Sequence, residues 1–266
     1  VGNELKVGEV MTPNPPYVHK GELATKVRAI FRRSKFKGLP VVDEKSRVLG
    51  LITVKDLLKV TSTRSNLTAD GIMGRVMVFL TPDEDVTVGV KKMLQAKVDR
   101  AVVVDSASSM RLLGVLSMHD VIKALQRANP IKETLVEDFM TREVVTCSPA
   151  EPVTKVWRKM EEGDISGLPV VKKKVVGMIT RNDILAAGYA RIRKENEKSF
   201  SKRATPVEKV MRSPAITISP RATLGEAMKI MVSKNIGRLP VVEKGRLLGI
   251  IDREDVLRQS LEGFNA

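Results

Sequence analysis

Apolar and polar residues alternate in a pattern that repeats four times along the chain. Short apolar runs bounded by glycine, proline or charge read as buried strands: Leu39-Pro40-Val41-Val42, Ala101-Val102-Val103-Val104, Leu168-Pro169-Val170-Val171 and Leu239-Pro240-Val241-Val242. Upstream of each, apolar positions at helical spacing mark an amphipathic helix: Leu23, Val27, Ile30 and Phe31; Val86, Val90, Met93 and Leu94; Val153, Val156, Trp157 and Met160; Leu224, Ala227, Met228 and Met231. Downstream of each comes a seven-residue stretch that opens on glycine and closes on aspartate. The four copies are Gly50-Leu-Ile-Thr-Val-Lys-Asp56, Gly114-Val-Leu-Ser-Met-His-Asp120, Gly177-Met-Ile-Thr-Arg-Asn-Asp183 and Gly249-Ile-Ile-Asp-Arg-Glu-Asp255. Each reads as a strand running straight into a helix, so each unit predicts strand, helix, strand, strand, helix.

The closing aspartates lie 64, 63 and 72 residues apart, which makes the chain a tandem array. In each stretch a hydroxyl or carboxylate residue stands three positions before the aspartate. That spacing is a capping box, in which the first side chain accepts a free N–H of the opening turn and the acid reaches back to the cap. The same spacing also suits a nucleotide. A phosphate could take hydrogen bonds from the Thr or Ser hydroxyl and the backbone, while the carboxylate accepts ribose hydroxyls. Spacing alone does not choose between them.

Taken together, Val10-Met11-Thr12 and Phe139-Met140-Thr141 at unit starts, the Leu-Pro-Val-Val strands and the glycine-to-aspartate stretches resemble the CBS domains, the modules named after cystathionine beta-synthase. The resemblance covers nearly the whole chain. It implies an α/β (α+β) fold of four β-α-β-β-α units, paired through their sheets into two Bateman modules in a disc-like, pseudo-fourfold arrangement. Two such modules in one chain resemble the gamma subunit of AMP-activated protein kinase and its archaeal relatives, which bind adenine nucleotides. The expected boundaries are residues 8–62, 70–127, 134–188 and 205–262, with a charged connector at 189–204 that includes Arg191-Ile192-Arg193-Lys194. That connector is the best candidate for docking a partner.

The resemblance implies AMP, ADP or ATP as ligands. Asp56, Asp120, Asp183 and Asp255 would hold ribose hydroxyls, and Thr53, Ser117 and Thr180 the first phosphate. Arg100 and Arg238 stand just before the central strand in units two and four, where units one and three have Gly38 and Gly167. Guanidinium forks there, with Lys37, suit phosphate oxygens. Thr12 and Thr141 complete the expected ligand set. Asp252 is the exception in its series: it caps a helix as well as threonine does, but a carboxylate about 4 Å from a phosphate costs on the order of 4 kcal/mol at an effective dielectric of 20, before screening. The fourth cleft is therefore expected to be empty, or to take an adenosyl thioether such as S-adenosylmethionine or methylthioadenosine.

Composition adds three points. The net charge of +15 suits polyphosphate ligands or nucleic acid, but aromatics are only 3%, which argues against base-stacking platforms. No apolar run approaches the roughly 18 residues of a membrane span, so a cytoplasmic protein is expected, and its one cysteine, Cys147, is expected to be a buried, inert thiol. No recurrent histidine or cysteine accompanies the carboxylates, and no phosphate-binding Gly-x-x-x-x-Gly-Lys sequence occurs, so neither catalysis nor a catalytic cofactor or metal is expected. The expectation is a regulatory subunit acting on an unidentified protein, with room for a homodimer.

Overall fold

The computed structural model describes residues 5–33, 36–60, 66–128, 134–188 and 205–262. The connector at 189–204 and the first half of the linker Thr61 to Asp70, residues 61–65, lie outside the described residues. Each unit is built on an antiparallel hairpin: Gly38–Val42 with Val48–Thr53, Arg100–Val104 with Leu112–Ser117, Gly167–Val171 with Val175–Thr180, and Arg238–Glu243 with Arg246–Asp252. All four slip register at the equivalent place, at Val41/Val42, Val103/Val104, Val170/Val171 and Val241/Val242. The first strand of each hairpin is buried along its middle, throughout in Gly38–Val42, whereas the second alternates, as Val48–Thr53 does. One strand is enclosed on both faces; the other turns a face toward its partner unit.

A segment upstream of the first helix adds a parallel contact to each hairpin. Val18–His19 pairs with Val41–Val42, and Phe79–Leu80 with Val102–Val103. In units three and four the predicted strand shrinks to a single rung, Cys147 to Val170 and Ile218 to Val241. Only the residue whose side chain enters the core is held there; Cys147 and Ile218 are both buried. The thiol of Cys147 is pushed up to about 12, chiefly by that burial, which keeps it protonated and unreactive.

The units close a ring through two kinds of contact. Units one and two meet sheet to sheet, with Val48 and Leu51 against Val102, Val104 and Leu112. Units one and three meet helix to helix: Phe31, Leu57 and Leu58 share one core with Val156, Met160, Ile184 and Leu185. Units two and four do the same through Met93, Ile122 and Leu125 against Met228, Met231 and Val256. Arg238 closes the fourth side, donating from Nη1 to the carbonyl of Gly167 at 3.1 Å. Each fully buried leucine or isoleucine at these contacts contributes about 1.5–3 kcal/mol, so the helical interfaces bind the two modules firmly.

The segment that opens each unit is spent on its neighbour. Val7 is buried in the core of unit two, and Thr12 pairs with Val115. Ala69 is buried in the core of unit one, and Gly74 pairs with Leu51. Units three and four repeat the exchange, with Thr141 bridged to Ile250 and Arg212 to Met178. This exchange explains the glycine that opens each seven-residue stretch. A Cβ at Gly50, Gly114, Gly177 or Gly249 would come within 2.5–2.8 Å of the sulfur of Met73, Met11, Met211 or Met140. The methionine of the incoming segment occupies the space a side chain would need.

Candidate functional site

In all four units the capping box forms. The backbone N–H of Thr53, Ser117, Thr180 and Asp252 donates to Oδ2 of the aspartate three residues on, at 2.8, 3.0, 2.9 and 2.9 Å. The hydroxyls of Thr53, Ser117 and Thr180 donate to the same oxygen at 2.6, 2.6 and 2.5 Å. The box therefore engages one carboxylate oxygen per unit and leaves Oδ1 as the acceptor available to anything else. Asp56 Oδ1 and Asp120 Oδ1 make no hydrogen bond among the described residues. Asp183 Oδ1, by contrast, accepts from Arg212 Nε at 2.7 Å.

The helix-to-helix and sheet-to-sheet contacts leave a chamber of about 1220 Å³ at the centre of the ring. It is lined by residues of all four units. Thr53, Asp56, Lys37, Arg100, Thr180 and Arg238 meet in it, joined by Asp252, Arg253 and Asp99. Ser117, Asp120, Asp183 and Asp255 are not part of its wall, and neither are Thr12 and Thr141. The exposed threonines instead stand on the neighbouring hairpin: Thr12 faces Val115, two residues before Ser117, and Thr141 faces Ile250, two before Asp252. Each thus belongs to the cleft of the next unit rather than to its own.

Between units one and two the alternation of glycine and arginine before the central strand has a packing cause. A Cβ at Gly38 would lie 2.6 Å from Cδ of Arg100, so glycine in one unit makes room for arginine in the other. Arg100 lies flat in that space, with 10% of its side chain exposed, and grips Asp99 with both Nε (3.0 Å) and Nη2 (2.8 Å). Arg238 is placed likewise and donates from Nη2 to Ser166 Oγ at 2.6 Å. Both guanidinium groups already have partners, which an entering anion would have to share or displace.

The chamber is strongly basic. Burial, then Arg253 and Arg100, depress the Lys37 ammonium to about 8. Burial alone would raise the Asp99 carboxyl; the Arg100 fork, Lys37 and Arg253 more than reverse it, to about 2. Arg253 is lowered to about 10 by burial and by its neighbours Arg100 and Arg238, against the pull of Asp99. Its Nη2 donates to the carbonyl of Ile236 at 3.0 Å and to His119 Nδ1 at 3.1 Å, across the interface between units two and four. Burial and Arg253 hold the His119 imidazole below its usual range, in keeping with its role as acceptor.

In the fourth unit Asp252 Oδ1 accepts from the N–H groups of Glu254 (2.8 Å) and Asp255 (3.3 Å), so it caps the helix as threonine would. Its charge is felt next door. Burial, then Asp252, drive the Asp255 carboxyl up to about 6.

Four stretches of the chain, residues 7–62, 69–127, 136–189 and 207–262, match the CBS domain family. The chain is a CBS-domain protein. Among relatives of this CBS-domain protein are two uncharacterized proteins of Methanocaldococcus jannaschii. MJ1404 is 28% identical over 95% of this chain and 61% of its own length; MJ1225 is 28% identical over 85% of this chain and 88% of its own. The chain thus spans less than two thirds of MJ1404. The crystal structure of MJ1225, described as a candidate archaeal homologue of g-AMPK, superposes with a TM-score of 0.84 at 24% identity, over 96% of this chain and all of that one. That likeness establishes the four-unit fold.

Three chamber residues, Arg253, Asp99 and Arg212, lie outside the expected ligand set. Arg253 follows Asp252 and Asp99 precedes Arg100, but nothing in their spacing sets them apart. Arg212 was legible: Met211-Arg212 completes the series Met11-Thr12, Met73-Gly74 and Met140-Thr141. Among the described residues, no helix is long and apolar enough to cross a membrane, and no cluster of His, Cys, Asp or Glu could hold a metal ion.

Proposed function

We propose that this CBS-domain protein binds adenine nucleotides, AMP, ADP or ATP, and passes their occupancy to a regulated partner protein as an energy sensor. The observation that carries this reading is the central chamber, where a Thr-x-x-Asp acceptor from unit one converges with Lys37, Arg100, Arg238 and Arg253. Asp56 Oδ1 is an open acceptor for a ribose diol. The basic centre lies where a phosphate chain would extend, and the number of phosphates would decide how many cations it draws on. Signalling requires a difference in affinity between two arrangements of the modules, and the helical interfaces flanking the chamber are where such arrangements would differ. The chemistry needs no nucleophile or metal. Calorimetric titration with AMP, ADP and ATP tests the reading; heats indistinguishable from dilution for all three would sink it.

A second reading applies to the fourth cleft. Asp252 beside Asp255 disfavours a phosphate there and favours a neutral or cationic adenosyl group, so methylthioadenosine or S-adenosylmethionine fits that cleft better than AMP does. Competition between AMP and the thioether distinguishes a shared site from separate ones.

A further inference from the structure

The residue that each opening segment delivers to its neighbour is the variable part of an otherwise repeated cleft. It is Thr12 for unit two, Gly74 for unit one, Thr141 for unit four and Arg212 for unit three, each paired two residues before the cap. In unit three the consequence is complete. Asp183 Oδ1 accepts from Arg212 Nε at 2.7 Å, and Oδ2 accepts from the N–H and hydroxyl of Thr180, so both oxygens are engaged and the residue is only 7% exposed. In unit one the same carboxylate keeps Oδ1 free of hydrogen bonds among the described residues. The residue opposite is Gly74, where even an added Cβ would stand 3.9 Å from that oxygen.

We infer that this delivered residue decides which clefts admit a ribose, with Arg212 latching unit three shut and Gly74 leaving unit one open. A ribose entering unit three must replace a guanidinium, which bonds the carboxylate through a charge-assisted hydrogen bond, by two neutral hydroxyls. The exchange loses more than it gains while the carboxylate remains buried. Unit one presents no competitor. Selectivity here comes from the side chain that a neighbouring unit delivers to the cleft.

The inference rests on the nucleotide reading of the clefts, and one set of titrations separates the two. AMP is titrated calorimetrically into the wild-type chain, R212T, R212T/D183A and G74R. R212T installs the residue found at positions 12 and 141, on a side chain that is 68% exposed, so the fold is expected to survive; thermal melting checks this for each variant. The expected result is one more AMP per chain in R212T than in wild type, lost again in R212T/D183A. In G74R, one fewer AMP is expected than in wild type. Should G74R not fold, the R212T pair decides alone. Wild-type stoichiometry in R212T overturns the latch, and a lost site in R212T overturns it too, by making Arg212 a ligand-binding group. AMP bound by none of the proteins removes the nucleotide reading itself, and the latch with it.

Discussion

The first and fourth clefts share one backbone plan, and among their differences is the side chain at the helix cap. Thr53 donates a hydroxyl hydrogen bond to Asp56, whereas in the fourth cleft burial, and then the second carboxylate of Asp252, drive Asp255 up to about 6. For capping the two residues are equivalent, since both accept N–H groups of the first turn. For receiving an anion they are opposites. A repeat can therefore retain the capping duty of a position while a neutral group facing the ligand becomes a negative one, and the cap exerts no pressure against the change.

The largest effect that would sharpen this comparison is expected at Asp56. A hydrogen bond to a charged group is worth about 1.5–3 kcal/mol, so Asp56→Ala should weaken AMP binding at the first cleft roughly 100-fold. Calorimetry measures it, and an isotherm superimposable on the wild type would reduce Asp56 to a helix cap. Asp252→Thr should act in the opposite direction, improving AMP binding at the fourth cleft by about tenfold once screening has trimmed the repulsion. If the fourth cleft stays indifferent to AMP after that replacement, the charge of Asp252 is not what separates the two clefts.

A smaller effect concerns proton balance. With Lys37 held at about 8, an anion entering the chamber raises it, so binding at pH 8 should take up about half a proton per ligand. Titrations in buffers of different ionisation enthalpy read this directly, and Lys37→Met should abolish it. Uptake that persists in Lys37→Met would assign the proton to another group.

The smallest is a slope in stability. The Asp255 carboxyl is raised from 3.8 to about 6, so the folded state holds its proton more tightly than the unfolded state does. Stability should accordingly fall as pH rises from about 4 through 6 and level off above that. Asp255→Asn keeps the acceptor for the Asp252 N–H and should flatten this window in denaturant melts across pH. A variant as steep as the wild type would locate the slope elsewhere.

Periodicity alone made much of the fold readable. Hairpins, helices and caps fall where the apolar runs and the Thr-x-x-Asp spacing put them, because a buried strand such as Gly38–Val42 and an amphipathic helix such as Val153–Glu162 leave local signatures. The exchange of opening segments left none, since Val7 or Ala69 reads the same whichever core it enters. The candidate site was half legible. Residues repeated in register, such as Thr53 and Asp56, stood out by repetition. The Gly38/Arg100 alternation was visible, but its packing cause was not, because the contact joins residues of different units. Arg253 and Asp99 acquire their weight only from convergence at the ring's centre, a property of tertiary structure that no one-dimensional spacing encodes.

The reciprocal lending of opening segments has a practical corollary for anyone dissecting this chain. A lone quarter, excised at its apparent borders, would carry a methionine and a short helix with nothing to dock on, and would present a bare hairpin where its neighbour's methionine belongs. The smallest fragment that keeps both lent segments docked is a pair, and any shuffling of quarters by recombination would have to move both lenders at once.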